Sequence, residues 1–193
     1  MKKRSSRDIF EETIIDLSNN IPMNKITVKM IVEGSGLSLQ TFYNYYTDKA
    51  ELILSIHKNE GDKIMEKLYK KQISLRELII ENAKFYLKYK DFMINAIKNT
   101  SGQDSYALMS ADNAYKVFKE YLLKKRNIEE LPEDINFYLK MYTCSNVMMY
   151  AYWVENMKDT SVEDFADLIL EAMPKKLSQY ILDIDNFPNP SKY

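Results

Sequence analysis

The sequence predicts an all-α protein, and three observations support this prediction. Only four Gly and five Pro occur among 193 residues, whereas an average chain holds about 12% of the two together, and the turns between strands depend on them. Apolar residues recur at helical spacing along most of the chain. Hydrophobic residues make up 46% and charged residues 28%, which is typical of a folded chain with a sizeable core.

Three short helices are predicted within the first fifty residues. Ser5 or Ser6 is a suitable N-cap for the first helix, which ends near residue 19. A second helix covers residues 28–33 and a third covers residues 38–46. The segment Gly34-Ser35-Gly36 separates them and holds half of the Gly in the chain.

Longer helices follow and end at breaks rich in Gly, Pro, Asn or Ser. Pro174 either kinks the last of them or splits it in two, so the expected total is about nine. We therefore predict a domain boundary near residue 50, with domains at 1–50 and 51–193. The longer helices are expected at 48–69, 74–100, 105–126, 134–157 and 161–182.

Residues 27–52 have the pattern of a helix-turn-helix, in which two short helices flank a tight turn that contains Gly. Gly36 stands where the chain must turn sharply, and Gly tolerates a positive φ there. Ile31 and Leu37 are apolar on either side of the turn. They are suited to hold the two helices together.

The third helix has the composition of a DNA-reading helix. Phe42 and Tyr46 share its inward face, so the polar side chains of Gln40, Thr41 and Asn44 point outward. Gln and Asn amides can bond adenine in the major groove, and Thr can contact a thymine methyl group. The hydroxyl groups of the neighbouring tyrosines and the next helix N-terminus are suited to phosphates; the residues concerned are Tyr43, Tyr45 and Lys49.

This segment resembles the DNA-binding domain of the TetR family of bacterial transcriptional regulators. The family pattern reads roughly T-x-x-x-I-A-x-x-A-G-V-S-x-G-T-L-Y-x-Y-F-x-[SND]-K-x-x-L. Gln40 departs from it, since the family often has Gly there, and a long amide adds a potential base contact. The matching positions are Thr27, Ile31, Gly36, Ser38, Thr41, Tyr43, Tyr45, Asp48, Lys49 and Leu52, with close replacements at Val32, Ser35, Leu37, Phe42 and Tyr46.

The resemblance implies a set of DNA-contacting residues. Thr27 would cap the second helix and touch a phosphate, and Lys29 would reach a phosphate or a base. Leu39 would face a thymine methyl group, although it could instead lie against the first helix. Tyr43 could simply pack and Lys29 could be a solvated charge. The full expected set is Thr27, Lys29, Ser38, Leu39, Gln40, Thr41, Tyr43, Asn44, Tyr45 and Lys49.

The resemblance also implies a C-terminal helical domain that binds an effector and forms a homodimer. Fifteen Tyr and eleven Met favour either an adaptable aromatic pocket or ordinary core packing. The expected pocket residues are Phe85, Tyr86, Tyr89, Met109, Tyr115, Tyr138 and Tyr142. Apolar residues crowd residues 148–153 too densely for one buried stripe, and an extra apolar face favours a partner. The expected interface residues are Met149, Trp153, Phe165, Leu168, Ile169 and Ala172.

The expected function is therefore that of a homodimeric, ligand-responsive repressor of a near-palindromic operator. The alternative is an activator or co-regulator whose C-terminal domain binds a protein. We expect no enzymatic activity, because the single His57 has no nucleophile at a helical offset and is expected at the surface. We expect no cofactor and no metal. Cys144 is expected in the core. The start of the sequence lacks the apolar region of a signal peptide, so a cytoplasmic protein is expected.

Overall fold

The computed structural model describes residues 4–186, and these residues form helices, turns and loops without any strand. The predicted all-α class is confirmed. The ends of the two predicted domains, residues 1–3 and 187–193, lie outside the described range. The ten α-helices are α1 (Ser6–Ser18), α2 (Val28–Ser35), α3 (Leu39–Tyr43), α4 (Lys49–Tyr69), α5 (Leu75–Lys88), α6 (Lys90–Lys98), α7 (Tyr106–Arg126), α8 (Glu133–Asn156), α9 (Val162–Glu171) and α10 (Lys175–Asn186).

The helix count differs from the expected nine at one place. The predicted helix over residues 74–100 is two helices, because the backbone leaves helical geometry at Tyr89, with φ −112° and ψ 32°. Neither Gly nor Pro marks this break, so residue type does not predict it. The split at Pro174 does occur, since α9 ends and α10 begins on either side of it.

Side-chain caps start most of the helices, as the Ser, Thr and Asp residues before the apolar runs predict. At α1 the cap is reciprocal: Asp8 N donates to Ser5 Oγ, and Ser5 N donates to Asp8 Oδ2. Ser74 and Glu77 form the same arrangement at α5. The N-cap side chains that accept a backbone N–H are Ser5, Thr27, Ser38, Asp48, Ser74, Ser105 and Ser161.

Two groups of helices are joined through α4. The first group, α1 to α3, packs around buried aromatic residues, and α4 continues directly from it and packs on α1. The second group contains α5 to α10, in which α7 pairs with α8 and α5 lies against α4, α8 and α9. Trp153 of α8 stacks on Phe165 of α9, with ring centroids 4.4 Å apart.

Cys144 is exposed on α8, so the expectation of a core position is wrong. The opposite side of this helix carries the buried residues, which leaves the cysteine facing outward. None of the helices in the described part of the chain combines the length and the apolar composition that a membrane span requires.

The approach of α2 to α1 depends on a missing side chain. A Cβ on Gly34 would lie 2.9 Å from Thr13 Cγ2. Thr13 is held in place because its hydroxyl donates to Ile9 O over 2.7 Å. We expect Gly34→Ala to lower the free energy of unfolding by about 1–2 kcal/mol, measured by urea denaturation.

Gly61→Ala is the matched control for this substitution. Gly61 lies inside α4, and its added Cβ would meet nothing within 4 Å. Alanine is the better helix former, so this variant should gain up to about 1 kcal/mol. Equal stability of the two variants would contradict the close-packing explanation.

Candidate functional site

An aromatic cluster sets the position of α3. Phe10 of α1 meets Phe42 of α3 edge to face, with centroids 5.4 Å apart. Tyr46 completes the cluster 5.6 Å from Phe42. All three side chains are buried, so α3 can hardly rotate about its axis without breaking this core.

The turn between α2 and α3 has the expected geometry. Gly36 ends α2 with φ +67° and ψ 13°, the left-handed conformation that favours glycine. Leu37 N then donates to Ser35 Oγ over 3.2 Å. The two short helices therefore form a helix-turn-helix, as the spacing predicts. However, α3 ends at Tyr43 rather than at residue 46.

The outer face of α3 combines apolar and amide groups. Leu39 is 50% exposed and Tyr43 is 52% exposed, which is high for large side chains. Gln40 Nε2 donates to Asn44 Oδ1 over 3.1 Å, so the two amides are aligned one helical turn apart. This face can offer hydrogen bonds and apolar contacts to a groove of DNA.

The other expected contact residues surround this face. Thr27 and Ser38 are exposed N-caps of α2 and α3. Thr41 is half-buried, and its hydroxyl lies 2.8 Å from that of Ser38. Lys29 is exposed and its Nζ lies 3.8 Å from Glu33, a weak surface ion pair. Tyr45 is exposed just after α3.

Lys49 lies differently from the other nine expected residues. Its ammonium donates to Met23 O and to Ile26 O, each over 2.7 Å, and burial lowers the pKa of Lys49. The side chain thus ties the start of α4 to the segment after α1. A phosphate contact from Lys49 stays a prediction. Its hydrogen bonds to Met23 and Ile26 give it a structural role as well.

A second polar contact joins α1 to α4. Glu11 accepts hydrogen bonds from Asn59 Nδ2 at 2.8 Å and from Ser55 Oγ at 3.2 Å. Tyr46 OH also donates to this carboxylate, over 3.4 Å. Burial raises the pKa of Glu11.

Asn95 of α6 is a connection that sequence reasoning missed. Its Nδ2 donates to Ser18 O and Ile21 O, and its Oδ1 accepts from Met23 N, over distances of 2.7–2.9 Å. One side chain therefore fixes the segment after α1 to the C-terminal helices. A single Asn inside a helical run gives no sequence signal for such a contact.

A cavity lies between α4, α5, α7 and α8. Its volume is about 130 Å³, and the middle of α10 contributes Ile181. Most of its wall is apolar, from residues such as Met65, Leu78, Val117 and Phe118. A space of this size is comparable to engineered cavities that bind a single aromatic ring.

Two of the seven expected pocket residues, Tyr86 and Tyr142, line this cavity. The other five do not, because α5 and α7 turn different faces toward it. On α7 the lining residues follow a helical spacing from Ser110 through Ala114 to Val117. The adjacent residues Met109 and Tyr115 therefore lie on other faces of the helix. The residues placed outside the wall are Phe85, Tyr89, Met109, Tyr115 and Tyr138.

His57 lines the cavity, so the expectation of a surface histidine is wrong. Its ring stacks on Phe85 with centroids 5.3 Å apart, and its Nδ1 lies 3.0 Å from the Tyr106 hydroxyl. Burial lowers the pKa of His57 to about 4, so the ring is neutral at pH 7. The next residues, Lys58 and Asn59, are polar, and such a sequence pattern favours an exposed position.

The outer face of α8 carries an apolar stripe. Phe137, Met141, Met148 and Tyr152 are 46–64% exposed and share one side of the helix by their spacing. Among the expected interface residues, Met149, Leu168 and Ala172 are exposed, in agreement with a surface role.

The remaining three expected interface residues are buried within their own chain. These are Trp153, Phe165 and Ile169. The stacked Trp153–Phe165 pair instead holds α9 on α8 and supports the exposed residues from beneath.

Comparison with known proteins gives a fold. No protein-family model and no curated protein sequence matches the chain. Solved structures do match over nearly the full length. The dihydroxyacetone kinase operon activator DhaS is 12% identical, with a TM-score of 0.57, and the match covers 95% of this chain and 98% of DhaS.

Two further structures agree. Thermus thermophilus FadR, a TetR-family transcriptional repressor solved in complex with lauroyl-CoA, is 16% identical with a TM-score of 0.58, covering 86% of this chain and 92% of FadR. A Syntrophomonas wolfei chain assigned to TetR-family regulators is 15% identical with a TM-score of 0.52, covering 96% and 97%. The chain therefore has the fold of the TetR-type transcriptional regulators.

The neutral His57 makes stability depend on pH. Below pH 6.5 the unfolded chain binds a proton on this ring, whereas the folded chain binds it only near pH 4. The free energy of unfolding should therefore fall as the pH drops through this window, by up to about 3 kcal/mol. Urea denaturation at pH 7, 6 and 5 measures it.

The control for this prediction is His57→Gln, which removes the titrating ring. The raised pKa of Glu11 acts in the opposite direction, because the folded chain then takes up that proton first, and it remains in both proteins. The difference between wild type and variant isolates the histidine. Parallel pH profiles of the two proteins would show that His57 is not held neutral.

Proposed function

We propose that this chain is a sequence-specific DNA-binding transcriptional regulator that works as a homodimer and responds to a small ligand. The observation that carries the proposal is the helix-turn-helix with an exposed, rigidly held α3. Residues 1–50 would form the DNA-binding domain and residues 51–193 the effector and dimerisation domain. The proposed action is repression of a near-palindromic operator, relieved when the ligand binds.

DNA reading follows from the surface chemistry of α3. Gln40 and Asn44 present amides that can bond adenine, and Leu39 offers an apolar contact to thymine. Thr27, Ser38 and Tyr45 surround them with hydroxyl groups that suit phosphates. Because Phe42 and Tyr46 are locked in the core, the reading face would reach the groove already oriented.

The apolar stripe on α8 supports a second copy of the chain as partner. Four large apolar side chains in one stripe are costly to leave in water. A two-fold interface brings the same face together from both subunits. For such a dimer to read a palindromic operator, the two copies of α3 must lie about 34–36 Å apart, one turn of DNA.

The size of the cavity favours a small molecule over a protein as effector. Its wall is formed mainly by α4, α5, α7 and α8 around about 130 Å³, a space that suits a ligand of about one ring. FadR, a repressor, holds lauroyl-CoA, and DhaS is an operon activator; both signs of regulation thus occur on this fold. An interior cavity together with a DNA-reading head, the helices α1 to α3, fits the proposed ligand-relieved repression.

Helix α4 provides the proposed link between ligand and DNA. His57 and Met65 face the cavity, and Lys49 holds the other end of the helix to the head. A ligand that shifts α4 would change the separation of the two heads and so the fit to the operator.

We expect Gln40→Ala to weaken binding to the selected operator by about 1–3 kcal/mol, because it removes one base contact and the alignment of Asn44. The operator would first be obtained by selecting bound sequences from a random DNA pool, and gel-shift titration then measures the affinity. Gln179→Ala, an exposed amide on α10, is the control and should bind like wild type. Unchanged affinity and sequence preference for Gln40→Ala would remove Gln40 from the reading surface.

We expect Met148→Glu to convert the dimer to monomers, because it puts a charge in the middle of the α8 stripe. Analytical ultracentrifugation measures the mass in solution. Leu108→Glu is the control, since Leu108 is equally apolar and 66% exposed but lies on α7. A dimer that survives Met148→Glu and dissociates with Leu108→Glu would place the interface elsewhere.

A further inference from the structure

We infer that the cavity takes a neutral, mainly apolar molecule of about one ring that carries at least one hydrogen-bonding group. The inference rests on the proposed function, because it names the effector class of the same site. Two unpartnered hydroxyl groups and the distribution of charge around the cavity support it.

Five hydroxyl groups line the cavity, and three of them are satisfied by the protein. Tyr142 OH donates to Ile169 O, Thr143 Oγ1 donates to Leu139 O, and Tyr150 OH donates to Ile79 O. Tyr86 OH and Ser110 Oγ, by contrast, have no hydrogen-bond partner.

These two residues are 1% and 2% exposed, so bulk water does not satisfy them. The nearby Tyr106 hydroxyl interacts electrostatically with both groups, but it lies 3.0 Å from His57 Nδ1 and neither group has a partner at hydrogen-bond distance. A buried polar group without a partner costs free energy. Tyr86 and Ser110 therefore offer a ready binding point to a polar atom of a ligand.

Charge excludes an anionic ligand. Among the described residues that line the cavity there is no Lys or Arg, and Asp62 is the one with a formal charge at neutral pH. His57 is the remaining candidate for a positive charge, and its burial keeps it neutral. A carboxylate inside this wall would meet no counter-charge, since Asp62 is exposed and of the same sign, whereas an uncharged ligand has much less hydration to lose.

A matched set of four probes tests the class: 4-propylphenol, propylbenzene, 4-propylbenzoate and 4-propylbenzylammonium. They share a ring and an alkyl chain and differ in the polar group. Isothermal titration calorimetry on the full chain at pH 7.5 measures each dissociation constant. We expect the phenol to bind about threefold to tenfold more tightly than propylbenzene, which lacks one hydrogen bond. The benzoate and the ammonium should bind more weakly than the phenol, because each loses the hydration of its charge in a mainly apolar wall and the one acidic lining residue, Asp62, is exposed rather than buried.

Two variants test the residues. Tyr86→Phe and Ser110→Ala should each weaken binding of 4-propylphenol by about threefold to tenfold and leave propylbenzene binding unchanged. Neither should lower the melting temperature of the free protein, because each removes an unpartnered group. Tyr69→Phe, which removes a tyrosine hydroxyl outside the cavity wall, is the control and should bind the phenol like wild type.

Tighter binding of the benzoate or of the ammonium than of the phenol would overturn the inference, and so would binding of none of the four probes. Equal effects of Tyr86→Phe on phenol and propylbenzene would overturn the role of the hydroxyl. Operator affinity is measured separately by gel shift. If the protein does not bind a selected operator, the proposed function is refuted and the ligand class is unaffected. If it binds the operator and also binds the benzoate more tightly than the phenol, the ligand class alone is refuted.

Discussion

Helix α4 runs for 21 residues without a break, about 30 Å, and both groups of helices are built against it. Near its start, Ser55 and Asn59 bond Glu11 of α1. Between and beyond them, His57 and Met65 form cavity wall. Because the interior of a helix resists bending, the head and the cavity cannot change position independently. The position of α3 and the shape of the cavity therefore both depend on the position of α4.

Three places break the usual rules for an isolated folded chain. The outer face of α3 exposes Leu39 and Tyr43, the outer face of α8 exposes a stripe of large apolar residues, and the cavity leaves two hydroxyl groups unpartnered. Each departure is unfavourable for a monomer in water. Each also matches one proposed contact: DNA at α3, a second subunit at α8 and a ligand in the cavity. Such local conflicts are expected at functional sites.

The head was predictable from the sequence because its signals are local. Gly36, the caps Thr27 and Ser38, and the spacing of Phe42 and Tyr46 each act within a few residues, so a short segment specifies the helix-turn-helix. The cavity was much less predictable. Whether Tyr115 or Ser110 faces it depends on how α7 is rotated against α8, and packing between distant segments decides this. Trp153 likewise lies in an apolar run that predicts an interface, and its burial depends on Phe165 of another helix.

Lys49 and Asn95 grip the same short piece of chain after α1 from two sides. Lys49 comes from α4 and Asn95 from α6. Lys49 donates to the carbonyl of Met23, and Asn95 accepts from its amide. The position of this segment therefore depends on the difference between the displacements of α4 and α6. If α4 and α6 shift together, the grip is undisturbed and the head simply follows. If α4 and α6 move apart, either some of these hydrogen bonds break or the helices α1 to α3 tilt.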